Sequence, residues 1–252
     1  ENKDSEPMYY ENLPFRFDTR GIIYNKRGHV YKVNLGTNKF NKIVDGDKNQ
    51  IISIGSLVES NKGVVFSYEN YNSKGTMLEE KIGSLETKKI NEIHSKGSMG
   101  NLFYYEGDLH AVGLRNRFDW PTNTAVLKLS SNGKVTYRHR TFDRNVVKAE
   151  VNNSVLYFLY EDSGKTLLRD GTNNIDLIDA EVTVKDFAFN NDKTYVIANS
   201  FSKPDEVYEL NNGLLEKTSK ANEFFNKKVK TWDCEYRRID TGKSKIDTWG
   251  IF

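Results

Sequence analysis

Enzymatic chemistry needs nucleophiles, proton carriers or metal ligands at workable spacing, and this sequence offers few. Cys234 is the only cysteine. It sits in the alternating run Trp232-Asp233-Cys234-Glu235-Tyr236, which reads as strand and not as the setting of an activated thiol. No Gly-x-Ser-x-Gly string occurs, and Gly97-Ser98-Met99-Gly100 has the wrong spacing for a nucleophile elbow. Asp162-Ser163-Gly164-Lys165-Thr166 imitates the end of a phosphate-binding loop. The glycine required five places before Gly164 is Leu159, however, and a strand-to-strand turn supplies no helix N-terminus. His29, His94, His110 and His139 are scattered, none at helical metal-pair spacing, so neither a metal nor a cofactor is expected. Carboxylates are plentiful, but pairing them for glycoside chemistry needs distances that a sequence lacks. Asn152-Asn153-Ser154 matches a glycosylation sequon inside a tight turn and is read as coincidence. Recognition is better served by Arg115, Arg117, Asp119 and Trp120 in the stretch Arg115–Pro121, where arginines, an acid and an aromatic share one loop. The competing reading is an ordinary polar loop with Trp120 packed on its own sheet.

Composition narrows the classes. The 252 residues suffice for one large all-β domain or two small ones. Thirty-seven basic against thirty-five acidic side chains leave a net charge of +2, too balanced for an electrostatic nucleic-acid binder. No apolar run approaches the roughly 20 residues that span a bilayer as a helix, so no membrane partner is expected. The opening Glu1-Asn2-Lys3-Asp4-Ser5-Glu6 shows no secretory signal and no initiating Met, as expected of a processed chain or one cut from a longer polypeptide. With a single thiol no intrachain disulfide forms, which agrees with a reducing, cytoplasmic setting.

The elements that must position any site follow one recurring unit: an apolar strand, a tight turn, and a more polar strand. It occurs at Val30–Thr37, Ala125–Val135 and Val207–Leu215, with looser copies at Met77–Lys88 and Leu167–Asp176. Apolar and polar residues alternate within each copy, the period of a strand with one buried face. The copies recur every 40 to 50 residues or so, the period of a four-stranded propeller blade. The expected fold is all-β: a β-propeller of about five four-stranded antiparallel blades. Part of a first blade closes with Lys39–Val44. The second blade takes Ile51–Val58, Gly63–Tyr68, Met77–Ile82 and Thr87–Ile93. Asn101–Tyr105, Leu109–Leu114, Thr124–Leu129 and Lys134–Arg140 make the third. The fourth has Val146–Val151, Val155–Tyr160, Leu167–Arg169 and Ile175–Ile178, and the fifth Val184–Phe189, Thr194–Ala198, Glu206–Leu210 and Leu214–Thr218. Val155–Tyr160 and Tyr195–Ala198 are apolar on both faces, as expected of strands covered on both sides. Loops are expected at Glu69–Gly75, Arg115–Asn123, Glu161–Lys165 and Ser200–Asp205. One short helix is expected over Asn222–Val229, with Asn222 as its N-cap.

Two C-terminal segments carry a resemblance. Ser200-Phe201-Ser202-Lys203-Pro204-Asp205-Glu206-Val207-Tyr208-Glu209-Leu210, with Lys217–Asn222, resembles the last propeller blade of the prolyl oligopeptidase family, in its acylaminoacyl-peptidase and dipeptidyl-peptidase-like branch. The hairpin Trp232–Gly250 is similar to the one that opens that family's catalytic α/β-hydrolase domain. Leu13–Gly21 resembles a string midway through the family's propeller. The match departs at Asp240-Thr241-Gly242, where a Thr is inserted, and in showing about five blades where the family usually has seven.

The resemblance implies a propeller over residues 1–222, one incomplete against seven blades, and a linker helix and hydrolase-opening hairpin over 223–252. It implies an α/β-hydrolase partner within the same parent chain and short peptides as substrates; a homo-oligomer stays open. The family's catalytic Ser, Asp and His would all follow Phe252, so no catalytic residue is assigned here. The propeller's implied role is steric gating of that hydrolase. Two other readings remain: a free-standing propeller that binds a ligand or protein, with Trp232–Phe252 closing the ring against the first blade, and a propeller glycosidase.

Overall fold

The computed structural model describes residues 16–17, 21–22, 27–61, 63–71, 78–86, 89–116, 122–130, 132–138 and 142–252. Two short pairs come first, β1 (Arg16–Phe17) with β2 (Gly21–Ile22), and β3 (Val30–Asn34) with β4 (Lys39–Val44). After the one-turn helix α1 (Gly46–Asn49) come four four-stranded sheets. The first holds β5 (Ile51–Ser60), β6 (Gly63–Tyr71), β7 (Leu78–Glu86) and β8 (Lys89–His94). The second holds β9 (Ser98–Tyr105), β10 (Asp108–Leu114), β11 (Ala125–Leu129) and β12 (Val135–Tyr137). β13 (Asn145–Asn152), β14 (Val155–Asp162), β15 (Lys165–Asp170) and β16 (Ile175–Asp176) form the third. The fourth comprises β17 (Thr183–Asn190), β18 (Lys193–Ser200), β19 (Lys203–Asn211) and β20 (Leu214–Lys217). Helix α2 (Glu223–Lys228) leads to a separate hairpin, β21 (Cys234–Asp240) with β22 (Lys245–Ile251).

Each four-stranded sheet pairs its strands in sequence order as an antiparallel meander, the arrangement of a propeller blade. The expected all-β array of blades is therefore present, with β3–β4 standing for the partial first blade. The chain divides into two compact units: Glu1–Tyr104, Asp108–Thr122 and Leu127–Tyr137 in one, Tyr105–Gly107, Asn123–Val126 and Arg138–Phe252 in the other.

Turn chemistry explains the meanders. Glu106-Gly107, Asn153-Ser154, Ser163-Gly164 and Asn212-Gly213 each place both central residues at positive φ, the conformation of a two-residue hairpin turn that follows strand twist. Three expected loops are corrected: β6 and β7 stay paired out to Tyr71 and Leu78, so Glu69–Tyr71 is ladder, and two others close to two-residue turns. β14 and β15 stay paired out to Asp162 and Lys165, so Glu161–Lys165 is ladder around a Ser163-Gly164 turn. Likewise β18 and β19 pair out to Ser200 and Lys203 around Phe201-Ser202. Pro204, close to the start of β19, lies where the register slips between Ala198 and Ser200, a position that tolerates a missing donor.

Packing follows the alternation. In the first unit Val44, Ile51, Phe66 and Tyr68 bury together. In the second, Leu159 and Leu168 of one blade pack with Val184, Phe187, Val196 and Ala198 of the next. Leu156, Phe158, Leu159 and Tyr160 are all buried, as a strand covered on both faces requires. β18 departs from that expectation: Val196 and Ala198 are buried, but Ile197 on the opposite face is 38% exposed. Asn222 does stand at the N-cap of α2, yet its side chain makes no cap bond, its amide donating instead to the Asp205 carbonyl at 2.6 Å.

Candidate functional site

The residues singled out for chemistry are dispersed. Arg115 follows β10, and its guanidinium lies 5.5 Å from the centre of the Tyr137 ring, a cation–π contact within its own blade. Arg117, Asp119 and Trp120 lie outside the described residues, as does His139. His94 has its ring nitrogens 3.3 Å from the carbonyls of Gly133 and Arg115. His110 is buried, stacked on Phe103 at 5.6 Å, with Nδ1 3.0 Å from the Asp108 carbonyl. These histidines fasten strands and turns.

His29, Asp45 and Asp47 bring possible ligand atoms within 4.8 Å of one another, the one such group among the described residues. The Gly46 amide donates to His29 Nδ1 at 3.1 Å, which leaves the ring proton on Nε2, facing Asp47 at 3.8 Å. Lys42 lies 3.2 Å from Asp45. The imidazole lone pair and one oxygen of Asp45 are thus already engaged.

The second unit carries a cleft of about 850 Å³. Its walls are the β14–β15 turn (Gly164, Lys165), the β18–β19 turn (Phe201, Ser202) and the start of the C-terminal hairpin (Cys234, Tyr236). Lys165 pairs with Glu181 and holds its ammonium 5.5 Å from the centre of the Tyr236 ring. Tyr236 donates to Asp247 at 2.6 Å, and that hydrogen bond, helped by burial, raises its hydroxyl pKa. Cys234 is half-buried in this wall, with Glu235 and Tyr236 as chain neighbours. Nothing in this lining orders a nucleophile against a base, and the lining is of mixed polarity.

The same unit holds a buried carboxylate that the sequence reading did not single out. Glu206 in β19 is 3% exposed and accepts hydrogen bonds from Ser219 Oγ, the Ala221 amide at 3.1 Å and the Asn222 amide at 3.0 Å, with Lys217 at 2.9 Å. The Ser219 bond, then Lys217, hold its pKa down at about 2. The sequence did carry the signal: Glu206 falls on the buried parity of an alternating strand, where a lone charge demands partners. It ties β19 to the segment that starts α2.

Beyond the cleft the hairpin presents exposed apolar groups: Trp232 at 68%, Phe252 at 66%, and the cross-strand pair Ile239–Ile246. Such a concentration marks a surface suited to contact.

No family model matches the chain, and no curated protein does. Solved structures do. Against the acylaminoacyl peptidase of Pyrococcus horikoshii the TM-score is 0.77 with 15% identity, over 99% of this chain and 40% of that one. An acylaminoacyl peptidase in complex with Z-Gly-Gly-Phe-chloromethyl ketone gives 0.75 and 14%, with the same two coverages. Dipeptidyl peptidase 4 of Porphyromonas gingivalis gives 0.51 and 14%, over 88% of this chain and 34% of that one. The chain thus spans 40% of the length of the first two. The resemblance read from the last blade and hairpin is matched in three dimensions: this chain has a fold shared with acylaminoacyl peptidase and dipeptidyl peptidase 4.

Proposed function

We propose that residues 1–222 form a non-catalytic gating propeller and that 223–252 open the hydrolase domain of the same serine peptidase. The observation that carries this is the end-to-end likeness to acylaminoacyl peptidase, which includes the last blade and the hairpin. The exposed apolar hairpin supports it, since a domain continuing from Phe252 would cover those groups. In this reading the propeller admits short peptides and turns folded proteins away, so selectivity is steric and the chemistry lies elsewhere. Arg115, with Arg117, Asp119 and Trp120, is assigned to the substrate-facing loop. A cytoplasmic setting fits the single thiol, and among the described residues no helix is long and apolar enough to cross a membrane.

The competing ring-closure reading needs a ladder from Trp232–Phe252 to the first blade, and among the described residues β21 and β22 pair only with each other. The test has two arms. The isolated chain should neither hydrolyse acyl-peptide substrates nor be labelled by a serine-directed phosphonate. The product of the full reading frame should do both. Phosphonate-sensitive turnover by the isolated chain, or an inert full-length product, contradicts the proposal.

A further inference from the structure

One buried carboxylate governs how the chain leaves the last blade. We infer that Glu206 is a positioning residue for size selection: it pins Lys217–Asn222 to β19, and so sets the pose of the domain that follows and the width of the way past the propeller. The inference rests on the gating reading given above and names the residue on which that gate turns.

The β19–β20 ladder ends at the pair Tyr208 and Lys217. The residues that follow stay tied to three consecutive residues of β19. Thr218 and Ser219 donate their amides to the Val207 carbonyl at 2.9 and 3.3 Å, and the Val207 amide donates to Ser219 Oγ at 2.9 Å. Ser219 Oγ in turn donates to Glu206. The Ala221 and Asn222 amides reach the same carboxylate, and the Asn222 side chain donates to the Asp205 carbonyl. Side chains thus continue the pairing where the backbone ladder stops, and they hand the chain to α2 at Asn222.

Glu206 is the centre of this arrangement. It gathers Ser219, Ala221, Asn222 and the Lys217 ammonium on two oxygens that are almost wholly buried. Hydrogen bonds to an ionised acceptor are roughly twice as strong as neutral ones, and such networks reinforce one another. The same bonds keep the group ionised near neutrality, which makes it a permanent pin and not a switch. Helix α2, with six residues, is too short to hold a direction by itself. Its direction is inherited from the Glu206 cluster, and so is that of the chain behind it.

The test uses the full-length gene product. It compares kcat/KM for a short acyl-peptide with that for the same sequence carried by a long unstructured polypeptide, and follows hydrogen exchange alongside. Glu206→Gln keeps the shape and removes the charge that Lys217 and Ser219 answer. The short-to-long ratio should fall about tenfold, through a lower KM for the long chain. For the short peptide kcat should stay within about twofold, because the pin touches no reacting atom. A merely structural loss lowers the active fraction for both substrates alike and leaves the ratio where it was. Exchange should quicken over 217–228 and not in β14. Ser219→Ala removes one donor of the cluster and should move the ratio the same way by about threefold. An unchanged ratio in Glu206→Gln overturns the inference even where exchange quickens, and so does equal quickening in β14. If Glu206→Gln fails to fold, Ser219→Ala decides alone. A wild type that cleaves both substrates equally refutes the gate itself and this role with it, whereas a selective wild type with an equally selective variant refutes the role alone.

Discussion

Side chains settle two questions here, what is buried and what a buried charge needs. Phe158 of β14 is 1% exposed, and Phe158→Ala should cost about 3–5 kcal/mol of unfolding free energy, read from urea titration. Val147, half-exposed in the neighbouring strand, should tolerate Ser within about 0.5 kcal/mol in the same assay. Glu206 gives a pH signature. Its folded pKa, about 2, lies below the ordinary 4.5, so its stabilisation is present above the ordinary value and fades as pH falls toward 2. Wild type should therefore melt higher than Glu206→Gln near neutrality, with the gap closing between about pH 4.5 and 2. A gap that held constant through that window would refute the assignment. Alternation exposed most of the core residues in advance, because period-two burial is written directly into residue order. Glu206 escaped notice because its partners at 217–222 come from a segment that only the fold brings back.

Among the elements, hairpin turns govern register. Ser154 is held at φ 63 without being glycine, in the Asn153-Ser154 turn. Ser154→Gly should raise stability by about 0.5–1 kcal/mol in thermal unfolding, and a loss would show that the Ser side chain earns its place. Strand order and most strand positions were legible from alternation and turn residues. Strand ends were not: Glu161 and Asp162 read as loop because they are charged, yet Asp162 faces Lys165 across the ladder and extends it. Ile197 was read as buried because Tyr195–Ala198 is uniformly apolar, and a sequence cannot say whether a second sheet arrives to cover a face. The Trp249–Gly164 contact joins segments 85 positions apart, beyond any local pattern.

For the molecule as a whole, the repeat made the blades readable, and the C-terminal segments pointed to the relatives that structure comparison then returned. The near-neutral charge pointed away from an electrostatic nucleic-acid binder. Substrate choice stayed out of reach, because three of the four residues proposed to face it lie outside the described residues and because steric gating is a property of an aperture. The most direct measurement is the dependence of kcat/KM on substrate size for the full-length gene product. Short acyl-peptides should be cleaved efficiently and the same sequence displayed within a folded protein should not. Equal cleavage of the two would contradict a gating propeller.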